Sequence, residues 1–196
     1  MKKIILASGS PRRKQLLELA EIPFEVIVAY TDETYPSELS SSEIAMHIAE
    51  NKAIAVQNKL QVKDNGEAQT IIAADTVVVL ENKIIGKPKN REDALAILSD
   101  LSGKMHQVIT GVCILTKENK ILFSEETDVE FYRLSASQIE YYIDHYKPYD
   151  KAGAYAIQEW IGAVGIKSIK GDFYNVMGLP VSRVVRELNL LQPSNK

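Results

Sequence analysis

The stretch Ile4-Ile5-Leu6-Ala7-Ser8-Gly9-Ser10-Pro11-Arg12-Arg13-Lys14 concentrates groups able to hold an anion. An apolar run ends in small residues, and Pro11 then stands at the first helical position behind Ser10, read as a serine cap. Free backbone N–H groups and the helix dipole already favour negative charge at such a start. Cations are disfavoured there, so Arg12, Arg13 and Lys14 together call for a bound phosphate. Arginine forks grip phosphate oxygens in pairs. The bland alternative is a solvated basic first turn.

A second centre is Asp75, inside the apolar run Ile71-Ile72-Ala73-Ala74-Asp75-Thr76-Val77-Val78-Val79-Leu80. Such a run reads as a strand buried on both faces, where a carboxylate is costly unless it is paired, hydrogen-bonded or bound to metal. Asp75 is therefore either catalytic or metal-binding, or a structural acceptor of backbone N–H bonds. Asp32 and Glu33 lie in a polar loop, and joined in space to Asp75 they would offer oxygens to a hard divalent cation on a polyphosphate. Lys52 stands four residues after Ile48 and four before Val56, on the apolar stripe of its helix. It either snorkels to water or aims into a cleft. Lys87, between Gly86 and Pro88, offers a further point charge for phosphate. Gln158 follows the small-residue segment Lys151-Ala152-Gly153-Ala154-Tyr155-Ala156-Ile157 and can both donate to and accept from a pyrimidine imide edge. His47, His106 and His145 form no metal-site pattern and read as structural.

The elements that must carry these groups alternate between strand and helix, which predicts an α/β class. Strands are expected near 3–8, 24–28, 71–80 and 84–85, and two long ones across 104–133. Helices are expected near 11–20, from the Ser40-Ser41-Ser42-Glu43 capping box to about Leu60, across Arg91–Leu98 behind Asn90, from Ser135 to about Tyr146, and from Leu179-Pro180 to about Leu190. Ala154–Ile157 and Val164–Ile169 read as short strands, Gly171–Pro180 as a loop, and Asn65-Gly66 as a turn. No linker divides the chain, so residues 1–191 read as one domain, with two lobes around a cleft, and 192–196 as a polar tail.

A length of 196 residues suffices for a substantial core, and a net charge of −3 argues against a general nucleic-acid or membrane-surface binder. The single cysteine, Cys113, excludes an internal disulfide and suits a reducing cytosol, so a cytoplasmic location is expected. The N-terminal apolar run is too short for a signal peptide, and no run reaches the length of a membrane span. The phosphate-binding loop of kinases and GTPases, the dinucleotide fingerprint and the nucleophile elbow are all missing from the sequence.

Taken in order, Ser8-Gly9-Ser10-Pro11-Arg12-Arg13, Asp32-Glu33, Lys52-Ala53, Ala74-Asp75-Thr76, Gly86-Lys87-Pro88, Leu101-Ser102-Gly103 with His106 and Thr110-Gly111, Lys151-Ala152-Gly153 with Tyr155 and Gln158, and Asn175-Val176-Met177-Gly178-Leu179-Pro180 resemble the Maf family of nucleoside triphosphate pyrophosphatases. The resemblance runs from Ile4 to about Val185. It implies a three-layer α/β/α fold of the inosine-triphosphatase-like kind with a central mixed sheet. It also implies a homodimer, and hydrolysis of a nucleoside triphosphate to monophosphate and pyrophosphate with Mg²⁺, Mn²⁺ or Co²⁺. Arg12, Thr76 and Gln158 resemble the subgroup acting on dTTP and UTP, with CTP and modified uridine triphosphates as further candidates. The resemblance implies that Asp75 orients or deprotonates the attacking water, that Glu33 and Asp75 hold the metal, and that Ser8, Ser10, Arg13, Lys52 and Lys87 bind phosphate. In place of the glycine-rich, basic stretch of many relatives, this chain has Glu159-Trp160-Ile161-Gly162 after Gln158. The alternative is a regulator of cell division that binds nucleotide without cleaving it. The acids Glu33 and Asp75 argue against that, since holding a polyanion needs no carboxylates.

Overall fold

The computed structural model describes residues 3–61 and 69–191. The Asn65-Gly66 turn and the tail 192–196 lie outside the described residues. Strands β1 (Lys3–Leu6), β2 (Phe24–Val26), β3 (Gln69–Leu80), β4 (Lys83–Ile85), β5 (Met105–Leu115), β6 (Lys120–Phe131) and β7 (Ile166–Lys170) form one sheet in the order β2-β1-β3-β5-β6-β7, with β4 paired to β3. β1 runs parallel to β2 and β3, whereas β4 and β7 are antiparallel to their neighbours, so the sheet is mixed. The helices are α1 (Pro11–Leu19), α2 (Ser41–Gln61), α3 (Arg91–Leu101), α4 (Ala136–Tyr146), α5 (Trp160–Gly165), α6 (Phe173–Met177) and α7 (Val181–Leu190). This is the expected α/β class.

The chain divides into two compact units. The first takes residues 1–75, 110–125 and 178–196. Its core joins Ile5 and Ala7, Ile71 and Ala73 of β3, and Cys113 and Leu115 of β5 to Ala49, Ala53 and Val56 of α2. Side chains alternate along a strand, so these residues share one face of the sheet. Leu6, Ile72, Ala74, Val112 and Ile114, on the other face, are equally buried. The run of burial along β3 is broken inside the strand only at Asp75 and Thr76.

In the first unit Gly111 allows β5 and α2 to touch. A Cβ at this position would lie 2.2 Å from the Ala45 carbonyl carbon and 2.3 Å from the Met46 nitrogen. The start of α2 is fixed by the expected capping box, in which the Glu43 N–H donates to Ser40 Oγ at 3.3 Å and the Ser40 N–H to Glu43 Oε2 at 2.8 Å.

The second unit takes residues 76–109 and 126–177. Here Val78 and Leu80 of β3, Val108 of β5 and Val129 and Phe131 of β6 pack with Leu98 and Leu101 of α3 and Ile139, Tyr142 and Ile143 of α4. Asn90 caps α3 by accepting from the Asp93 N–H at 2.8 Å. Ser135 and Gln138 form the reciprocal box at the start of α4.

Three expectations fail in this unit. Ala154–Ile157 is not a strand: residues Ala152–Ala154 form a 3-10 turn, with φ of +70° at Gly153 and +58° at Ala154. Val164 and Gly165 end helix α5, and the strand begins only at Ile166. The Gly171–Pro180 loop holds the short helix α6. Ala154–Ile157 is a run of buried residues, and burial alone does not distinguish a strand from a compact turn.

Candidate functional site

The site begins where β1 ends. Ser8, 7% exposed, accepts two hydrogen bonds on its Oγ, from the Ser10 N–H at 3.3 Å and from Arg13 Nη1 at 3.1 Å. Ser10 occupies the N-cap position of α1 with Pro11 next, but its side chain makes no capping bond. The serine cap expected there is corrected: the Ser10 side chain leaves the N–H groups of the first turn uncapped. Arg13 Nε donates to the Gly178 carbonyl at 2.7 Å, which ties the first turn of α1 to the residues that lead into α7. Its guanidinium is thus held at both Nε and Nη1. Burial lowers the proton affinity of Arg13, Asp75 opposes this, Arg12 adds to it and Glu33 opposes it again. Arg13 therefore feels both candidate acids.

Those acids converge on one nitrogen. Asp75 has the strand parity of Ile71 and Ala73 and so faces α2. Lys52, on the same helix stripe as Ala49, Ala53 and Val56, meets it there. Lys52 Nζ lies 2.7 Å from Asp75 Oδ1 and 2.7 Å from Glu33 Oε1. The Lys52 and Asp75 side chains are 18% and 15% exposed, and that of Glu33 is 51% exposed. Of the two readings of Lys52, the ammonium turned inward to carboxylates is the one found. Asp32 is exposed, and its Oδ1 accepts the Thr34 N–H at 3.2 Å in a local turn.

Two carboxylates directed at one cationic point suit a hard divalent ion, which binds through oxygen. No group of three or more His, Cys, Asp or Glu side chains that could hold a metal occurs among the described residues. Mg²⁺ commonly takes only one or two carboxylates and fills its remaining positions with water and substrate phosphate oxygens. Glu33 and Asp75 fit that pattern.

Thr76, Lys87 and Gln158 belong to the second unit. Thr76 follows Asp75 directly and has the parity of Val78 and Leu80. Lys87 is exposed and follows Gly86, whose carbonyl accepts the Gly153 N–H at 3.2 Å. The Gly86-Lys87 and Lys151–Gln158 segments are therefore joined. A Cβ at Gly153 would lie 3.0 Å from Val78 Cγ2, so the turn sits directly on β3. Gln158 is exposed at the tip of a turn closed by the Glu159 N–H to the Ala156 carbonyl at 3.1 Å. His106 is buried and neutral. Burial brings its pKa down to about 4, and Nε2 hydrogen-bonds with Tyr155 Oη at 2.8 Å. Burial also pushes the Tyr155 phenol up.

Several structural partners were not singled out from the sequence. They are the Gly178 carbonyl that holds Arg13, and the Tyr142 hydroxyl that meets the Glu159 carboxylate beside Gln158. The Gly178-Leu179-Pro180 run marked the place of the first. Tyr142 gave no signal beyond an apolar helix stripe.

A mixed α/β sheet with a basic helix start beside paired acids defines a protein built for anionic, phosphorylated ligands. The chain belongs to the family described as Maf-like protein, whose match covers residues 3–191. It is 50% identical over 187 residues to the dTTP/UTP pyrophosphatase of Parabacteroides distasonis, covering 95% of this chain and 94% of that one. It is 48% identical over 188 residues to the dTTP/UTP pyrophosphatase of Bacillus cereus strain G9842, covering 96% and 95%. The solved Ham1 protein of Staphylococcus aureus aligns with a TM-score of 0.47 and 16% identity over 66% of this chain and 72% of that one.

Proposed function

We propose that this protein hydrolyses dTTP and UTP at the α–β anhydride, releasing the nucleoside monophosphate and pyrophosphate. The observation that carries this reading is the Lys52 ammonium set 2.7 Å from both Asp75 and Glu33. Arg13, whose charge is coupled to both acids, stands beside them. Names shared by relatives at about half identity support the substrate class.

Asp75 accepts a proton from the water that attacks phosphorus, and the anhydride oxygen departs with the pyrophosphate. Arg12, Arg13, Lys52 and Lys87 neutralise the triphosphate and the charge that grows on the leaving group, while Ser8 and Ser10 contact phosphate oxygens. Stabilisation of this kind is usually the largest part of phosphoryl-transfer catalysis. Glu33 and Asp75 would hold a divalent ion, which supplies Lewis-acid polarisation of a phosphoryl oxygen. Lys52 shields the two carboxylates from each other in the free protein and can turn to phosphate when substrate arrives. Thr76 and Gln158 select the base, the Gln158 amide offering one donor and one acceptor to the imide edge of thymine or uracil.

The protein acts as a homodimer in the cytoplasm, without nucleic-acid or membrane partners. No helix among the described residues is long and apolar enough to cross a membrane. The deciding experiment incubates pure protein and Mg²⁺ or Mn²⁺ with dTTP or UTP and resolves the products. Monophosphate with pyrophosphate is expected, whereas diphosphate with free phosphate overturns the bond assignment. Light scattering of the purified protein checks the dimer.

A further inference from the structure

We infer that the Tyr142 hydroxyl is a positioning group for Gln158, clamping both ends of the turn that presents it. The inference rests on the reading that Gln158 selects the base. The turn runs from Ala156 to Glu159, closed by the Glu159 N–H to the Ala156 carbonyl, with Gln158 third of its four residues. Tyr142 Oη touches both ends. It accepts the Ala156 N–H at 3.1 Å and donates to Glu159 Oε2. Tyr142 is itself fully buried within α4. Its ring stacks on that of Tyr146 with centroids 5.0 Å apart.

The other Glu159 oxygen faces Lys151 Nζ at 3.5 Å, and the Lys151 side chain is only 9% exposed. Beyond the turn, the Gly162 N–H donates to the Glu159 carbonyl at 2.9 Å. A Cβ on Gly162 would lie 1.7 Å from the Ile157 carbonyl oxygen, so α5 starts flush against the turn. Gln158 is exposed between the buried Ile157 and the half-buried Glu159.

An exposed amide on an unsupported turn would sample many positions, and its hydrogen bonds to a base would discriminate poorly. A turn gripped at both ends by one buried hydroxyl presents its tip from a fixed backbone. This arrangement involves Glu159, part of the Glu159-Trp160-Ile161-Gly162 run that departs from the glycine-rich, basic stretch of many relatives.

The test compares kcat and KM of wild type, Tyr142→Phe, Gln158→Ala and the double variant for dTTP, UTP, CTP and GTP. Tyr142→Phe keeps the ring and removes both hydroxyl contacts. It should raise KM for dTTP and UTP more than it lowers kcat. It should also shrink their kcat/KM advantage over CTP and GTP by about fivefold to tenfold, the scale of a lost hydrogen bond. In the double variant the advantage should fall no further than in Gln158→Ala alone, because the two residues act as one unit. Glu159→Gln, which keeps an acceptor for the hydroxyl, should preserve discrimination, whereas Glu159→Ala should lose it. If Tyr142→Phe fails to fold, the two Glu159 variants give the same reading. A Tyr142→Phe or Glu159→Ala protein that melts earlier but keeps its substrate ratios overturns the inference, since the clamp is then structural only. If Gln158→Ala keeps the ratios, the base-selection reading fails, and the inference falls with it.

Discussion

A lysine on the apolar stripe of a helix is an unfavourable placement unless its head group finds oxygen. Lys52 finds two acids, and the arrangement makes Asp75 a carboxylate held in place rather than a wandering side chain. Asp75→Asn is nearly isosteric and keeps a partner for Lys52, so the fold should survive. Turnover should fall by about 10²–10³ or more, measured as pyrophosphate release. Arg13→Lys tests the neighbouring cation. Lysine cannot reach the Gly178 carbonyl and Ser8 Oγ with a planar fork, so one acceptor is abandoned. Urea denaturation should show a loss of about 1–3 kcal/mol, with a raised KM for nucleotide. Asp75 was legible in the sequence because a charge interrupts an apolar run. Lys52 was legible in place but not in orientation, because a stripe position fits both outcomes. Tyr142 was not legible at all: its hydroxyl acts on a segment 14 residues away in the chain.

Elements whose start is written in adjacent residues were read well. The boxes at Ser40–Glu43 and Ser135–Gln138 and the Asn90 cap close over three residues, so nothing distant can override them. Ser135→Ala removes one such local device and should cost about 1 kcal/mol, visible as a lower Tm with kinetic constants unchanged. The segment after Lys151 was misread because its buried residues obey tertiary packing rather than a repeat. Positive φ takes Ala154 out of the expected strand, and the turn closed by the Glu159 N–H on the Ala156 carbonyl takes up the rest, yet Ala154 carries no sequence mark of its conformation.

At the scale of the molecule, buried neutral histidine links stability to pH. The pKa of His106 is brought down to about 4 in the fold, against 6.5 for an unburied imidazole. Between these values the unfolded chain binds the proton and the native protein does not. Acidification therefore favours unfolding: the contribution is complete above about 6.5 and is lost as pH falls towards 4. The full loss is on the order of 3 kcal/mol. Urea titrations of wild type and His106→Gln between these limits should show a shallower decline in the variant. With a net charge of −3 on the whole chain, the overall field does not attract a polyanion, and the proposed function assigns that attraction to the local set of Arg12, Arg13 and Lys52.

The bare backbone of Gly111 acts as a depth gauge for α2. Ala45, which a Cβ at 111 would strike, is seven residues before Lys52 and on nearly the same side of the helix. A single methyl at 111 works as a shim: the helix must lift by an ångström or more, and the ammonium rises away from its two oxygens. Gly111→Ala should therefore slow catalysis as well as lower Tm, although the side chain at 111 is a single hydrogen atom packed against α2.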